Sequence, residues 1–299
     1  MIEASADTLS GFAILDKPAG ITSYRFLGSM GRRLGDQVKS GHAGTLDSFA
    51  SGVLVCLFGR YTRLSDYFMG AGKGYEADIL FGEETDTLDP EGAVVATADI
   101  PGLAALEAAL PAFRGDILQA PPAYSAVHID GERAYERARK GQDVSPRPRP
   151  VTIHSLDLLS YEAGVARIRV SCTKGTYIRS LARDIALSCG SRGRLEALRR
   201  TFSGPFSEKD ASSAEGFGPG DLRTLTEKDA EGLGLSVHTL DTDESRAFSN
   251  GLPLFRLASF ASLDRPSPVA VFGAGRVPLG IVTRAGSAWK YAFVLGGLA

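Results

Sequence analysis

Asp47 is the only acid between Asp36 and Asp66, and it stands among small residues: Gly41-His42-Ala43-Gly44-Thr45-Leu46-Asp47-Ser48-Phe49-Ala50-Ser51-Gly52-Val53-Leu54. Little side-chain bulk screens it, and the glycines let a bulky ligand come close. A lone carboxylate so placed can attack a sugar carbon or take a proton, with no redox step. The same residue could equally close a turn or cap a helix, with its oxygens on backbone N–H groups. Further along, Lys174-Gly175-Thr176-Tyr177-Ile178-Arg179 puts an arginine in the first turn of a helix that Thr176 is expected to cap. A cation there opposes the helix dipole, and a broken local rule often marks function.

These side chains need elements to hold them. Val53 to Phe58 is an unbroken apolar run and reads as a buried strand, placing Asp47 at the mouth of a sheet. Gly11 to Lys17 reads as a strand ending at Pro18-Ala19-Gly20. Thr22 or Ser23 caps a helix over Tyr24 to Leu34, with Phe26, Leu27, Met30 and Leu34 on one face. Arg60 to Phe68 reads as a helix. Gly70-Ala71-Gly72-Lys73-Gly74 is not a phosphate loop, because Tyr67 stands where the first glycine is needed and Gly74 follows the lysine. Tyr75 to Gly82 alternates as a strand, with Tyr75, Ala77, Ile79 and Phe81 facing one way. Tyr75 could stack on a base and move a proton, or be an ordinary core tyrosine.

Thr85-Asp86-Thr87-Leu88-Asp89-Pro90-Glu91-Gly92 lacks the acid spacing of a calcium loop, and its acids read as turn-formers without chemistry. Leu103 to Phe113 reads as a core helix. Glu132 to Lys140 reads as a short helix with Arg133, Arg137 and Lys140 along one face, a stripe suited to phosphates. Val151 to Tyr161 and Val165 to Cys172 pair as strands, with Arg167 and Arg169 turned to solvent or RNA. Residues 207–236 are rich in Gly, Ser and acids and read as linking. Beyond them, a helix near Asp243 to Asn250 and strands near 268–273, 277–283 and 289–294 suggest a small β barrel or sandwich.

The totals narrow the class. At 299 residues, 43% apolar and 23% charged, the chain has the composition of a globular protein of one large and one small unit. No apolar run nears the ~18 residues of a membrane span. The opening Met-Ile-Glu-Ala-Ser-Ala-Asp carries no secretory pattern. Cys56, Cys172 and Cys189 lie far apart with no C-x-x-C, which points to reduced thiols in a cytoplasmic protein rather than disulfides or zinc. Net charge is −2, yet residues 133–200 hold 15 Lys and Arg against 6 Asp and Glu. Such a block reads as a surface that meets phosphates, or as solvated helix faces.

The segment around Asp47 resembles the catalytic motif of the TruB family of tRNA pseudouridine synthases, usually G-H-x-G-x-L-D-P-x-A-x-G-V-L. Ser48 departs from it where proline is usual. Leu15-Asp16-Lys17-Pro18, Lys73-Gly74-Tyr75, Thr85 to Gly92, Pro121 to Gly141 and Gly175 to Asp184 are similar to further motifs of that family, in its order, over residues 11–205. His128 departs where lysine is usual. The resemblance implies an α+β fold: a mixed-sheet catalytic domain over 1–236, with a thumb-like RNA-binding insert at about 119–151, and a small β-rich PUA-like domain over 237–299.

It also implies an isomerase, active on the T loop of tRNA at position 55. Asp47, Tyr75 and Arg179 would be catalytic, and His42, Tyr177, Leu198, Lys17, Arg133, Arg137 and Lys140 would bind substrate. His42 would fill the stack left by a flipped base, and Leu195 to Arg200 would close the pocket. No metal, cofactor, membrane or protein partner is implied, and the chain would act as a monomer. A lone Asp suits this reaction, because the leaving base is kept and reused and needs no second carboxylate. The alternatives are a non-catalytic tRNA-binding or folding protein on the same fold, a guide-RNA-dependent relative, and a glycosidase, which would leave the basic block idle.

Overall fold

The computed structural model describes residues 9–295, apart from Ala126, Asp130, Asp143, Ser145 and the side chains of His128, Ile129, Arg133 and Arg139. In chain order the principal elements are β1 (Gly11–Lys17), α1 (Ser23–Leu34), β2 (Ser51–Phe58), β3 (Lys73–Phe81), β4 (Gly115–Gln119), β5 (Arg149–Glu162), β6 (Val165–Cys172), α2 (Ile178–Ser188) and β7 (Gly193–Ser203). They build one mixed sheet of order β1-β2-β7-β3-β6-β5-β4. Every adjacent pair along it is antiparallel except β2 with β7. The fold is therefore α+β, as the sequence implied.

Local chemistry explains the elements that reach the site. On α1 the Thr22 hydroxyl accepts from Arg25 N–H at 3.3 Å, and Arg32 and Arg33 lie in the last turn, where the helix dipole favours cations. Its buried stripe of Phe26, Leu27, Met30 and Leu34 packs on Leu15, Leu54 and Cys56. On β3 the alternation of Tyr75, Ala77, Ile79 and Phe81 buries one face against Ile168, Val170 and the Leu181–Ile185 side of α2. Each fully buried Leu or Ile there contributes about 1.5–3 kcal/mol. A bulge between Leu195 and Ala197 puts Leu195 and Leu198, three residues apart, on the same face of β7.

Several expectations need correction. The helix at Leu103–Ala109 buries Leu106 but leaves most of its length exposed, so it lies on the core rather than in it. Arg60 to Phe68 begins as a 3₁₀ segment, Gly59–Leu64, before the short helix Ser65–Gly70. Residues 207–236 are not a free linker. Arg223 exchanges two backbone hydrogen bonds with Phe12, and Ser212 bonds with Ile14 and Asp16, so the segment covers the outer edge of β1.

Beyond this segment come β8 (Ser236–Thr239), α3 (Thr242–Ser249), β9 (Val269–Phe272), β10 (Pro278–Ala285) and β11 (Ala288–Val294). They form a separate sheet, β8-β9-β10-β11, consistent with a PUA-like unit. Because β8 begins at Ser236, it straddles the expected boundary at 236/237. Ala270, Phe272, Ile281 and Phe293 of this sheet share a core with Phe12, Val55 and Leu57 of the first and with Phe68 of the helix Ser65–Gly70. Among the described residues no helix is long and apolar enough to cross a membrane.

Gly52 marks a close backbone-to-backbone approach within the sheet. Its φ is +104°, and a Cβ there would lie 2.3 Å from the Arg200 carbonyl oxygen on the parallel neighbour β7. Gly52→Ala is expected to destabilise the fold by about 3 kcal/mol or more, since positive φ and a backbone clash combine. Thermal melting checks this; an unchanged midpoint would mean that β7 yields without cost.

Candidate active site

The loop between the strand Ser40–His42 and β2 presents Asp47, and side chains from the preceding motif brace it on both sides. Ser23 is the first residue of α1. Its hydroxyl donates to the Leu46 carbonyl at 2.8 Å and accepts from Leu46 N–H at 2.8 Å. The Ser48 carbonyl takes Gly20 N–H at 2.8 Å and lies 3.5 Å from Lys17 Nζ. Residues 46 and 48 are thus fixed while the carboxylate between them faces a cavity. Lys17 is fully buried, and its ammonium also donates to the carbonyls of Pro18 and Ile21 at 2.8 and 2.7 Å. It thereby holds the Asp47 loop. Ser48 forms a contact that proline could not: its hydroxyl donates to the Glu91 carboxylate.

Arg179 meets Asp47 side-on. Nε lies 3.0 Å from one carboxylate oxygen and Nη2 3.2 Å from the other. Nη2 also donates to the Tyr124 carbonyl at 3.0 Å, and Nη1 to the Thr87 carbonyl at 2.8 Å and the Asp89 carboxylate at 3.2 Å. Five N–H groups thus find five oxygens. Both Arg179 and Asp89 are buried. The acids of Thr85 to Gly92 are therefore not all inert turn-formers. The Thr87 hydroxyl and Glu91 N–H donate to one Asp89 oxygen at 2.5 and 3.1 Å, which leaves the other for Arg179. Asp47 is alone in its own loop but not in space. The only sequence signal for Asp89 was the density of hydroxyls around it, which serves a turn equally well.

Arg179 reaches this place because α2 starts at Ile178. Thr176 does not cap the helix: its hydroxyl donates to the Thr173 carbonyl at 2.9 Å, and Tyr177 occupies the N-cap without a side-chain bond. Gln119 supplies the substitute, its side-chain oxygen accepting Tyr177 N–H at 2.7 Å, while the Ser180 hydroxyl donates to the Ala120 carbonyl at 2.8 Å. The end of β4 and the residue after it are tied in this way to the start of α2.

The cavity in front of Asp47 measures about 840 Å³, inside the roughly 300–1,000 Å³ range of ligand pockets. Tyr75, Tyr177 and Leu198 line it with Asp47 and Arg179, and Tyr124, Ser125, Val127 and Tyr135 of the insert complete its wall. His42 does not line it. That residue is half-buried at the end of its strand with Nδ1 unpartnered, and burial together with nearby Arg200 lowers its pKa, favouring the neutral ring. Two further cations line the cavity, Lys73 and Arg200, the latter ending the element expected to close the pocket. Both are buried, and burial pushes Lys73 down to about 8.

The phosphate stripe does not form as expected. The helix spans only Ala134–Arg139, and Arg133 belongs to a two-residue strand, Glu132–Arg133, its side chain lying outside the described residues. Lys140 pairs with Glu132, and Arg137 Nε donates to Gln142 at 3.1 Å. The wider basic block is largely answered by acids from elsewhere. Arg167 pairs with Asp78, Arg169 with Glu76, Arg192 with Glu84, Arg194 with Glu83, and Arg199 with Asp16 and Glu208. At the cavity mouth the exposed cations are Arg149 and Lys174. A count along the chain could not see these pairings, because the acids lie far away in sequence.

Burial raises the Asp47 carboxyl above the ordinary aspartate value; Arg179 opposes the rise, Asp89 and Glu91 add to it, and Lys17 opposes it. Arg179 is thus the main force favouring the ionised form. A bidentate carboxylate shares a cavity of this size with two tyrosines, an arrangement able to do carboxylate chemistry on a bound molecule.

Comparisons with known proteins agree. Residues 32–178 match the TruB family pseudouridylate synthase N-terminal domain. The chain is 46% identical over 215 residues to tRNA pseudouridine synthase B of Gluconacetobacter diazotrophicus, covering 71% of this chain and 70% of that one. It is 41% identical over 273 residues to tRNA pseudouridine synthase B of Aromatoleum aromaticum, covering 90% and 87%. In fold it is similar to a chain of a crystallised Cbf5-Nop10-Gar1 complex, with a TM-score of 0.71 over 96% of this chain and 85% of that one, at 24% identity. Fold and relatives together define a pseudouridine synthase, an isomerase. The chain belongs to the TruB family.

Arg179→Gln is expected to move the acidic limb of the rate–pH profile to higher pH, because it removes the charge that holds the Asp47 pKa down. A limb that stays in place would show that Asp47 ionisation does not govern the rate.

Proposed function

We propose that this chain isomerises uridine to pseudouridine in the T loop of tRNA, at position 55, with Asp47 as the catalytic carboxylate. The observation that carries the reading is the bidentate Asp47–Arg179 pair opening onto a cavity that also holds Tyr75. In the reaction the N1–C1′ bond breaks, the uracil turns, and a C5–C1′ bond forms. C5 loses a proton and N1 gains one, so substrate and product are isomers. Asp47 serves as the nucleophile at C1′ or as the base that deprotonates the sugar. Tyr75 supports the base and handles the C5 proton, while Tyr177 and Leu198 hold the ring edge-on.

The uridine must leave its stack to reach Asp47, at a cost of a few kcal/mol. Arg149 and Lys174 at the mouth are suited to the flanking phosphates, which takes over the role first given to the Arg133, Arg137 and Lys140 stripe. The insert at 119–151 closes the cavity from above, and residues 237–299 form a PUA-like second domain that extends the RNA-binding surface. The enzyme works in the cytoplasm as a monomer, without a guide RNA.

An unmodified tRNA transcript, incubated with the protein and mapped for pseudouridine, tests the reading. One T-loop product is expected, and Asp47→Asn should bind the transcript with less than about 1% of wild-type turnover. Product at another uridine would overturn the substrate assignment. Binding without product from wild type would favour an RNA-folding role. Lys174→Ala should weaken tRNA binding and reduce its salt dependence by about one counterion, as a titration in rising salt would show.

A further inference from the structure

Arg200 has no part in the reaction as described, yet it is among the largest fully buried side chains. No carboxylate lies within ion-pair reach of it among the described residues. A buried charge without a counter-ion is costly and needs another reason to be there. Two of its donors are used on backbone: Nε on the Val53 carbonyl at 2.7 Å and Nη2 on the Gly44 carbonyl at 3.1 Å. Gly44 lies three residues before Asp47. Arg200 also stands directly opposite Tyr75 in the β7–β3 ladder, and both side chains line the cavity. Side chains opposed in this way lie about 4.5–5.5 Å apart at Cβ. The guanidinium and the Tyr75 phenol are thus cross-strand neighbours on the wall of one cavity.

We propose that Arg200 is a positioning residue for Tyr75: braced on the carbonyls of Gly44 and Val53, it holds the phenol oxygen as a hydrogen-bond acceptor and turns it toward the bound base. The anchoring on Gly44 ties Tyr75 to the same loop that carries Asp47, so the two move as one unit. The electrostatics agree with this geometry. Burial raises the Tyr75 pKa, and the Arg200 charge acts against that rise. Accepting the C5 proton requires the phenolate, formed once the phenol has given up its own proton, and the Arg200 charge favours that form. The proposal rests on the reading that the Tyr75 hydroxyl takes part in the reaction.

The test compares Arg200→Met and Arg200→Lys in the full chain, alone and with Tyr75→Phe. Turnover is read by tritium release from tRNA labelled at uracil C5. Arg200→Met is expected to lower kcat about 10- to 100-fold with little change in KM, and Arg200→Lys to recover part of it. In the Tyr75→Phe background, Arg200→Met should change kcat less than about threefold. A fluorotyrosine at position 75, titrated by fluorine NMR, should ionise at higher pH in Arg200→Met than in wild type. An unchanged titration, or an equal loss with and without the Tyr75 hydroxyl, would overturn the proposal and leave Arg200 a loop brace only. Full activity in Tyr75→Phe alone would remove Tyr75 from the chemistry, while the titration would still decide whether Arg200 acts on it. If Arg200→Met does not fold, the Arg200→Lys titration carries the test, since an ammonium cannot keep both carbonyl anchors and the phenol contact.

Discussion

The site depends on one guanidinium having no donor to spare. Arg179 joins three stretches of chain through five hydrogen bonds: Asp47 from the loop, Thr87 and Asp89 from the hairpin, and Tyr124 from the insert. The planar fork of arginine fits a carboxylate side-on and still has N–H groups pointing elsewhere, which a lysine ammonium cannot reproduce. Burial makes the arrangement binding in both directions. A charge kept from water must find partners, and once it has found them, removing any one leaves the others unsatisfied.

Around this pair the sheet supplies rigidity where a loop alone could not. The Asp47 loop is clamped at Leu46 by Ser23 and at Ser48 by Gly20 and Lys17, so two short segments before the site fix the residues flanking its acid. From the other side β7 approaches so closely that only glycine fits at position 52. The same strand delivers Leu198 and Arg200 to the cavity, with a bulge upstream setting their phase. Backbone contacts therefore locate the carboxylate, and side-chain contacts orient it.

Much of this was legible in the residues. The strand at Gly11–Lys17, the helix after Thr22, the alternation of Tyr75, Ala77, Ile79 and Phe81 and the C-terminal hairpins all follow local periodicity, and the structure has them where that periodicity puts them. The meeting of Asp47, Tyr75, Arg179, Tyr177 and Leu198 at one cavity came from motif resemblance, not from local physics. Three readings failed, because they needed partners distant in sequence. Asp89 looked like a turn residue until Arg179 came beside it. Residues 207–236 looked like a tether until β1 offered an edge to cover. The basic block looked unpaired until the fold brought acids to it.

Those last pairings affect how the sheet finds its alignment. On the exposed face of β3, Glu76 and Asp78 stand opposite Arg169 and Arg167 of β6. Exposed pairs of this kind contribute only about 0–1 kcal/mol each. Their value is discriminating rather than energetic. Inward and outward alternation repeats every two residues, so a strand displaced by two keeps every apolar side chain inside, and burial alone cannot detect the error. Charge order can: the same displacement matches at most one acid to an arginine and strands the rest. The solvent face thus encodes the registration that the core face leaves ambiguous, a proofreading mark written in the residues that contribute least to holding the sheet together.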